Sequence, residues 1–287
     1  MNFYVSSLKL ENCPMVFTAT ECLHVDMSDS VLEISLNRPD KANAFNRSMW
    51  LELAELMHRA DQSEDVRVVV LKGRGVNFCS GIDLELLGEM QTQAAQLDEG
   101  FKQEYIRDQV RMFQDCFTAV ETCRKPVIAV VQGGCYGAGV DLITACDMRY
   151  GVTAAKFSVK EIDMAIVADL GTLQRLPRIV GEGRARELIL TACVIDGEQA
   201  EAIGLLNKSY DSFVDLEEEV YEIVRELASK PPLAMRGVKQ VLNASRDLTV
   251  TEGLEYVATW NAGMLLSSEL QEKARAALKN LKTKQND

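Results

Sequence analysis

Three acids and two glycine-rich corners are the parts of this sequence best suited to moving a proton. Asp169 sits in an apolar run, 164-MAIVADLGTL-173. A carboxyl there either meets solvent at a turn or is buried with a raised pKa. Glu161 follows a strand-like segment, and Asp141 stands three residues beyond Ala138. On a helix starting near 138, Asp141 shares a face with the first turn. Carboxyls moved toward neutrality are the natural acids and bases of a site without imidazole. The corners are 78-FCSGIDL-84, with Gly81 at its turn, and 133-GGCYGAGVD-141. Both read as strand-to-helix transitions. The N–H groups of a helix start point outward with partial positive charge, and two of them aimed at one point hold a developing oxyanion. A single corner of this kind is more often purely structural.

The composition removes competing chemistries. The 287 residues carry 31 Lys+Arg against 43 Asp+Glu, a formal charge of −12, and only His24 and His58. Such an acidic chain offers no basic surface to a phosphate backbone, so nucleic acid is not an expected partner. Two imidazoles cannot build a His-based metal cage, and no metal site is expected. The glycines at 133, 134, 137 and 139 do not fit G-x-G-x-x-G, and no G-x-x-x-x-G-K-[ST] loop occurs. Apolar runs such as 127-VIAVV-131 are too short to span a membrane. Eight Cys without a C-x-x-C pair suggest buried thiols in a reducing compartment. The opening MNFYVSSLKLENCP resembles neither a secretory signal nor a presequence, and the final QND is not a peroxisomal signal.

The elements that must hold these residues alternate. Residues 31–37 and 66–73 read as strands, 47–62 as a helix capped by Asn46, and 101–123 as a second helix ending before Lys125-Pro126. A buried strand at 127–134, a helix from about 138 to 147, and strands at 148–152 and 156–159 follow. This alternation predicts an α/β core over residues 1–210. From 211 to 287 only helices are expected, at 213–229, 232–246 and 252–280, with Lys230-Pro231-Pro232 as a break. No internal sequence repeat is visible.

The segments 36-LNRPDKANAFN-46, 78-FCSGIDL-84, 132-QGGCYGAGVDLITACDMRY-150 and 174–207 together resemble the enoyl-CoA hydratase/isomerase (crotonase) superfamily, in its order and spacing. The combination G-V-D-L, V-K-E-I-D and A-D-L-G-T-L-Q-R-L-P is most similar to its 3,5-2,4-dienoyl-CoA isomerases. Typical hydratases carry Glu at the position of Asp141 and Gly at that of Asp169. The resemblance implies a spiral of β-β-α turns forming two sheets, with a C-terminal helical region that supports a homotrimer or homohexamer. It implies an acyl-CoA thioester substrate, no separate cofactor, and oxyanion donors at Ile82 N–H and Ala138 N–H, the family usually having Gly where Ala138 stands. Glu161 would handle C2 and Asp169 would protonate C6, with Asp141 polarising the site. Coenzyme A would run along Lys41, Ala42, Gly81, Ile82, Asp83, Leu84 and Gly139, and 85–110 would form a loop shaping the acyl pocket. The basic tail 271–284 is either a solvated helix face or a neighbour of coenzyme A. The resemblance also implies a mitochondrial or peroxisomal matrix location. Its rivals are an enoyl-CoA hydratase and a catalytically silent binding or assembly subunit.

Overall fold

The computed structural model describes residues 17–284. The readings of the first fourteen residues, of Cys13 and of the final QND fall outside them. The described residues first form a hairpin: β1 (Leu23–Ser28) turns through Asp29 and Ser30, both at positive φ, into antiparallel β2 (Val31–Leu36). Two left-handed residues in a two-residue turn match the twist of the flanking strands. Helix α1 (Arg47–Gln62) follows, capped by the Asn46 side chain, which accepts from Met49 N–H at 2.9 Å. Then come β3 (Val68–Gly73), α2 (Leu84–Ala95), α3 (Phe101–Thr122), β4 (Val127–Val131), a short β5 (Gly134–Tyr136) and α4 (Ala138–Ala145). Strands β6 (Met148–Val152) and β7 (Lys156–Ser158) precede α5 (Thr172–Val180) and α6 (Glu182–Thr191). Strand β8 (Ile195–Asp196), α7 (Gly197–Ala202) and β9 (Lys208–Tyr210) complete the strand-bearing part.

The main sheet has the order β1-β2-β3-β4-β6-β9, parallel from β2 onward. Its centre is covered on both faces, which is why Val68–Leu71 and Val127–Val131 are uninterrupted apolar runs at 0% exposure. A second sheet, β5-β7-β8, is extended by single bridges between Cys79 and Cys135 and between Phe45 and Ile82. Each long strand of β2, β3, β4 and β6 therefore leads to a short stretch beside the second sheet and then to a helix. This is the spiral that the resemblance implied, and it repeats without a repeated sequence. Trp50 of α1 anchors the core, its ring 4.5 Å from that of Phe45 and 4.8 Å from those of Phe113 and Phe117.

Among the described residues only helices follow β9: α8 (Phe213–Ser229), α9 (Pro232–Ala244), α10 (Val250–Met264) and α11 (Ser268–Lys284). Helix α8 buries Leu216, Val220 and Val224 against the main sheet. The helix expected over 252–280 is two, parted at Leu265–Ser267. The expected loop 85–110 is instead α2, a short turn and the first half of α3. Among the described residues no helix is long and apolar enough to cross a membrane, and seven cysteines from Cys22 to Cys193 are unpaired.

Candidate active site

The two corners meet. Gly81 holds φ +108 and Gly137 φ +51, conformations that β-carbons resist. A β-carbon on Gly81 would stand 3.4 Å from Tyr136 O, 3.8 Å from Ala138 N and 3.9 Å from Gly137 Cα, so the corners nearly touch. Phe45 holds the first corner, donating to Gly81 O at 2.8 Å and accepting from Asp83 N–H at 3.0 Å. That pairing skips Ile82 N–H. Ala138 is the first residue of α4, where no intrahelical acceptor exists. Among the described residues, neither Ile82 N–H nor Ala138 N–H has a hydrogen-bond acceptor. Two free donors on adjoining corners, one of them at a helix N-terminus, form a site for an anionic oxygen.

The three acids interact with one another beside the second corner. Glu161 opens a 3-10 turn after β7, and its Oε1 lies 3.3 Å from where a β-carbon on Gly137 would stand. Asp141, in the first turn of α4, is 0% exposed. Its Oδ1 accepts from Thr172 N–H, the first of α5, at 2.7 Å. Burial pushes Asp141 up to about 6 against the opposing pull of its Thr172 contacts. Burial also raises Glu161 to about 7, with the neighbouring Asp141 charge as the next cause. Asp169 is half-buried and raised by burial, and its charge in turn raises both other acids. Among the described residues, Asp141 Oδ2, Glu161 Oε2 and Thr172 Oγ1 are buried without a hydrogen-bond partner. Unpartnered buried oxygens are costly and mark a place where chemistry keeps polar atoms unspent.

The sequence model of the enoyl-CoA hydratase/isomerase family matches residues 26–285. The chain belongs to this family. Among its similar relatives, a protein of Arabidopsis thaliana named peroxisomal Delta(3,5)-Delta(2,4)-dienoyl-CoA isomerase is 45% identical, covering 91% of this chain and 95% of that protein. A mitochondrial protein of the same enzyme name from Mus musculus is 40% identical over 88% of this chain and 78% of its own. A solved structure of an enoyl-CoA hydratase from Bacillus anthracis superposes with TM-score 0.81 at 31% identity, over 90% of this chain and 96% of that one.

Within this family member, the residues assigned to coenzyme A by resemblance fall into two groups. Lys41 is exposed at the rim, 3.4 Å from Glu85, and Ala42, at φ +47, accepts from Ser80 N–H at 2.9 Å, joining its loop to the first corner. Leu84 is exposed at the start of α2. Asp83 instead braces the corner, since its carboxylate pairs with Arg38 at 2.9 Å and caps α2 through Glu85 N–H at 3.1 Å. That double engagement holds it below the ordinary carboxylate range. Gly139 is a spacer, since a β-carbon there would press within 3.0 Å of Cys79 and 3.3 Å of Cys135 Sγ.

Other braces carry no signal that sequence reasoning picks out. Buried Asn43, at φ +56, accepts from Arg38 N–H at 2.8 Å and donates to Arg74 O at 2.9 Å and Asn77 O at 2.8 Å, tying the first two spiral turns together. The Asp169 turn is clamped through its carbonyls, with Gln114 donating to Asp169 O at 2.6 Å and Arg175 to Leu170 O at 3.1 Å. Arg175 is itself fixed by Glu121 at 2.8 Å. Gly171, at φ +120, is the one available hint of this clamp, because the Arg175 guanidinium occupies the space of a β-carbon there.

Proposed function

We propose that this protein is a Delta(3,5)-Delta(2,4)-dienoyl-CoA isomerase that serves β-oxidation of unsaturated fatty acids. The observation that carries the reading is the set of three carboxyls, each raised by burial, beside two free, adjoining N–H donors. The thioester carbonyl sits on Ile82 N–H and Ala138 N–H. Ionised Glu161 takes the proton from C2, and the electron pair spreads through the conjugated chain as a dienolate whose charge rests on the thioester oxygen. Protonated Asp169 then delivers a proton to C6, leaving double bonds at C2 and C4. One carboxylate can serve C2 and C4, but C2 to C6 requires one acid at each end. The charge of buried Asp141 keeps Glu161 basic enough to accept the proton and close to neutral pH. The two donors supply charge stabilisation whose loss typically costs ~10²–10³ in rate per donor.

Coenzyme A belongs to the substrate, and the proton transfer calls for no cofactor or metal. The helical region supports a homotrimer or homohexamer: α9 and α10 expose Val238, Leu242, Val250 and Leu254, an apolar face suited to another copy. The compartments named for the two relatives support a peroxisomal or mitochondrial matrix location. The test is spectroscopic: with 3,5-octadienoyl-CoA the protein yields the longer-wavelength absorbance of the conjugated 2,4-diene. Silence with that substrate alongside hydration of a 2-enoyl-CoA would replace the reading with a hydratase. Silence in both assays with retained thioester binding would make the protein a binding subunit.

A further inference from the structure

The opposite end of the main sheet carries a cationic pocket that the isomerase chemistry does not use. The active-site corners follow the C-terminal ends of β3 and β4. This pocket, about 290 Å³, lies at the other ends of those strands, beside Val66 and Pro126, and is closed by the α8–α9 junction at Lys230 and Pro232. Arg67, Arg124, Lys125, Lys230 and Arg236 line it, with Glu64 as the acid. Such a concentration of positive charge is conspicuous in a chain of net charge −12.

Two of these cations are already matched: Arg124 pairs with Asp61 at 2.9 Å and Lys230 with Glu226 at 2.6 Å. Arg67 donates to the Lys230 carbonyl, and among the described residues neither Arg67 nor Arg236 forms an ion pair with a carboxylate. Lys125 is the most telling group. It is 3% exposed, and its Nζ donates to Ser63 O at 2.7 Å. An ammonium has three donors, and this buried one makes no direct ion pair among the described residues, since the nearby Asp61 carboxylate is engaged by Arg124. Burial and the adjacent Arg236 charge press Lys125 down to about 8. The 13-residue α9 also starts here without a side-chain cap, adding the positive end of its dipole.

We infer that this pocket is an anion site for a phosphate-class dianion, either inorganic phosphate or the phosphate of a small phosphate ester. Two guanidinium forks and an ammonium match several oxygens of a tetrahedral dianion, which a single carboxylate would not use. The pocket is a second site, independent of the proposed reaction and at the opposite end of the sheet from it.

The test uses the full-length protein with inorganic phosphate or glycerol 3-phosphate, titrated at constant ionic strength against a chloride control. Calorimetry follows binding and a thermal melt follows stability. Saturable binding is expected, with Tm rising by about 2–4 °C at roughly tenfold excess over Kd. Arg236→Gln and, separately, Arg67→Gln weaken binding at least ~10-fold while dienoyl-CoA turnover in phosphate-free buffer stays unchanged. Tighter binding of glycerol 3-phosphate assigns the ester, and binding of phosphate alone assigns the free ion. Binding no stronger than that of chloride, or binding unaltered in both variants, overturns the inference.

Discussion

Asp141→Asn separates the electrostatic part of the site from its geometry. Asn keeps an oxygen for Thr172 N–H, which Asp141 Oδ1 accepts at 2.7 Å, and places an amide where Oδ2 has no partner among the described residues. The substitution removes the Asp141 charge and, with it, the carboxyl's contact with Glu161, both of which raise Glu161. Glu161 stands at about 7 against an ordinary 4.5, with burial the larger cause and the Asp141 charge the next. Burial is unchanged in the variant, so the Glu161 midpoint falls yet stays above its ordinary value. Glu161 must be ionised to take the C2 proton, so the acidic limb of kcat/KM moves to lower pH by the same amount. The plateau also drops, because a less basic carboxylate is a weaker proton acceptor. Stability supplies a second sign. Both acids titrate higher folded than unfolded, so their ionisation opposes folding as pH rises from about 4 to about 7. The change in Tm, variant minus parent, is therefore more favourable at pH 8 than at pH 5. The assay is initial-rate absorbance of the 2,4-diene between pH 5 and 9, with parallel melts. An acidic limb that stays in place or moves upward refutes the proposed coupling of Asp141 to Glu161.

Other substitutions probe the remaining parts. Asp169→Asn lowers kcat by ~10²–10⁴, the usual worth of a positioned acid, with the Kd for the dienoyl thioester within a few-fold of the parent; near-normal turnover would defeat the two-acid relay. Gly137→Ala meets φ +51 and places a methyl 3.3 Å from Glu161 Oε1, so kcat falls further than the ~1–2 kcal/mol of backbone strain accounts for, as kinetics beside a urea melt will show. Trp50→Ala opens the cluster with Phe45, Phe113 and Phe117 and costs ~3–5 kcal/mol, read from the denaturation midpoint.

The parts of the fold legible in the sequence are those whose burial is periodic. Helix α1 appears with the bounds that Asn46 and its apolar spacing predict, β2 is recognisable by its apolar–polar alternation, and β3 and β4 as apolar runs because the sheet buries them. Strand β1 is hard to read because, as an edge strand, it fully buries only Leu23. Helix α2 shows only Leu86 and Met90 to the core and carries Gly88, too weak a pattern to separate from a loop. The acids are visible by type and context, yet nothing local reveals that Thr172 N–H faces Asp141 or that Arg38 claims Asp83. Those contacts cross 31 and 45 positions of chain, and pairings at that range are set by topology.

Topology also explains why the site lies where it does. Each spiral turn makes a bend between its long strand and the second sheet and another before its helix, and the positive-φ residues collect there. Ala42 and Asn43 serve the first turn, Gly75 and Gly81 the second, Gly133 and Gly137 the third, and Ala165 and Gly171 the fourth. Successive turns stack through Phe45 on Ile82, Cys79 on Cys135, and Gly137 N–H on Ser158 O at 3.1 Å. Equivalent bends thus lie side by side although their sequences differ. The second and third turns each contribute one N–H donor, the third contributes Asp141, and the fourth contributes Glu161, Asp169 and the Thr172 N–H. A proton path from C2 to C6 needs acids separated along the substrate but sharing one oxyanion site. The spiral meets both conditions, because the 3-10 turn and bend of the fourth turn set Glu161 apart from Asp169 while the stacked bends of the second and third turns bring the donors together.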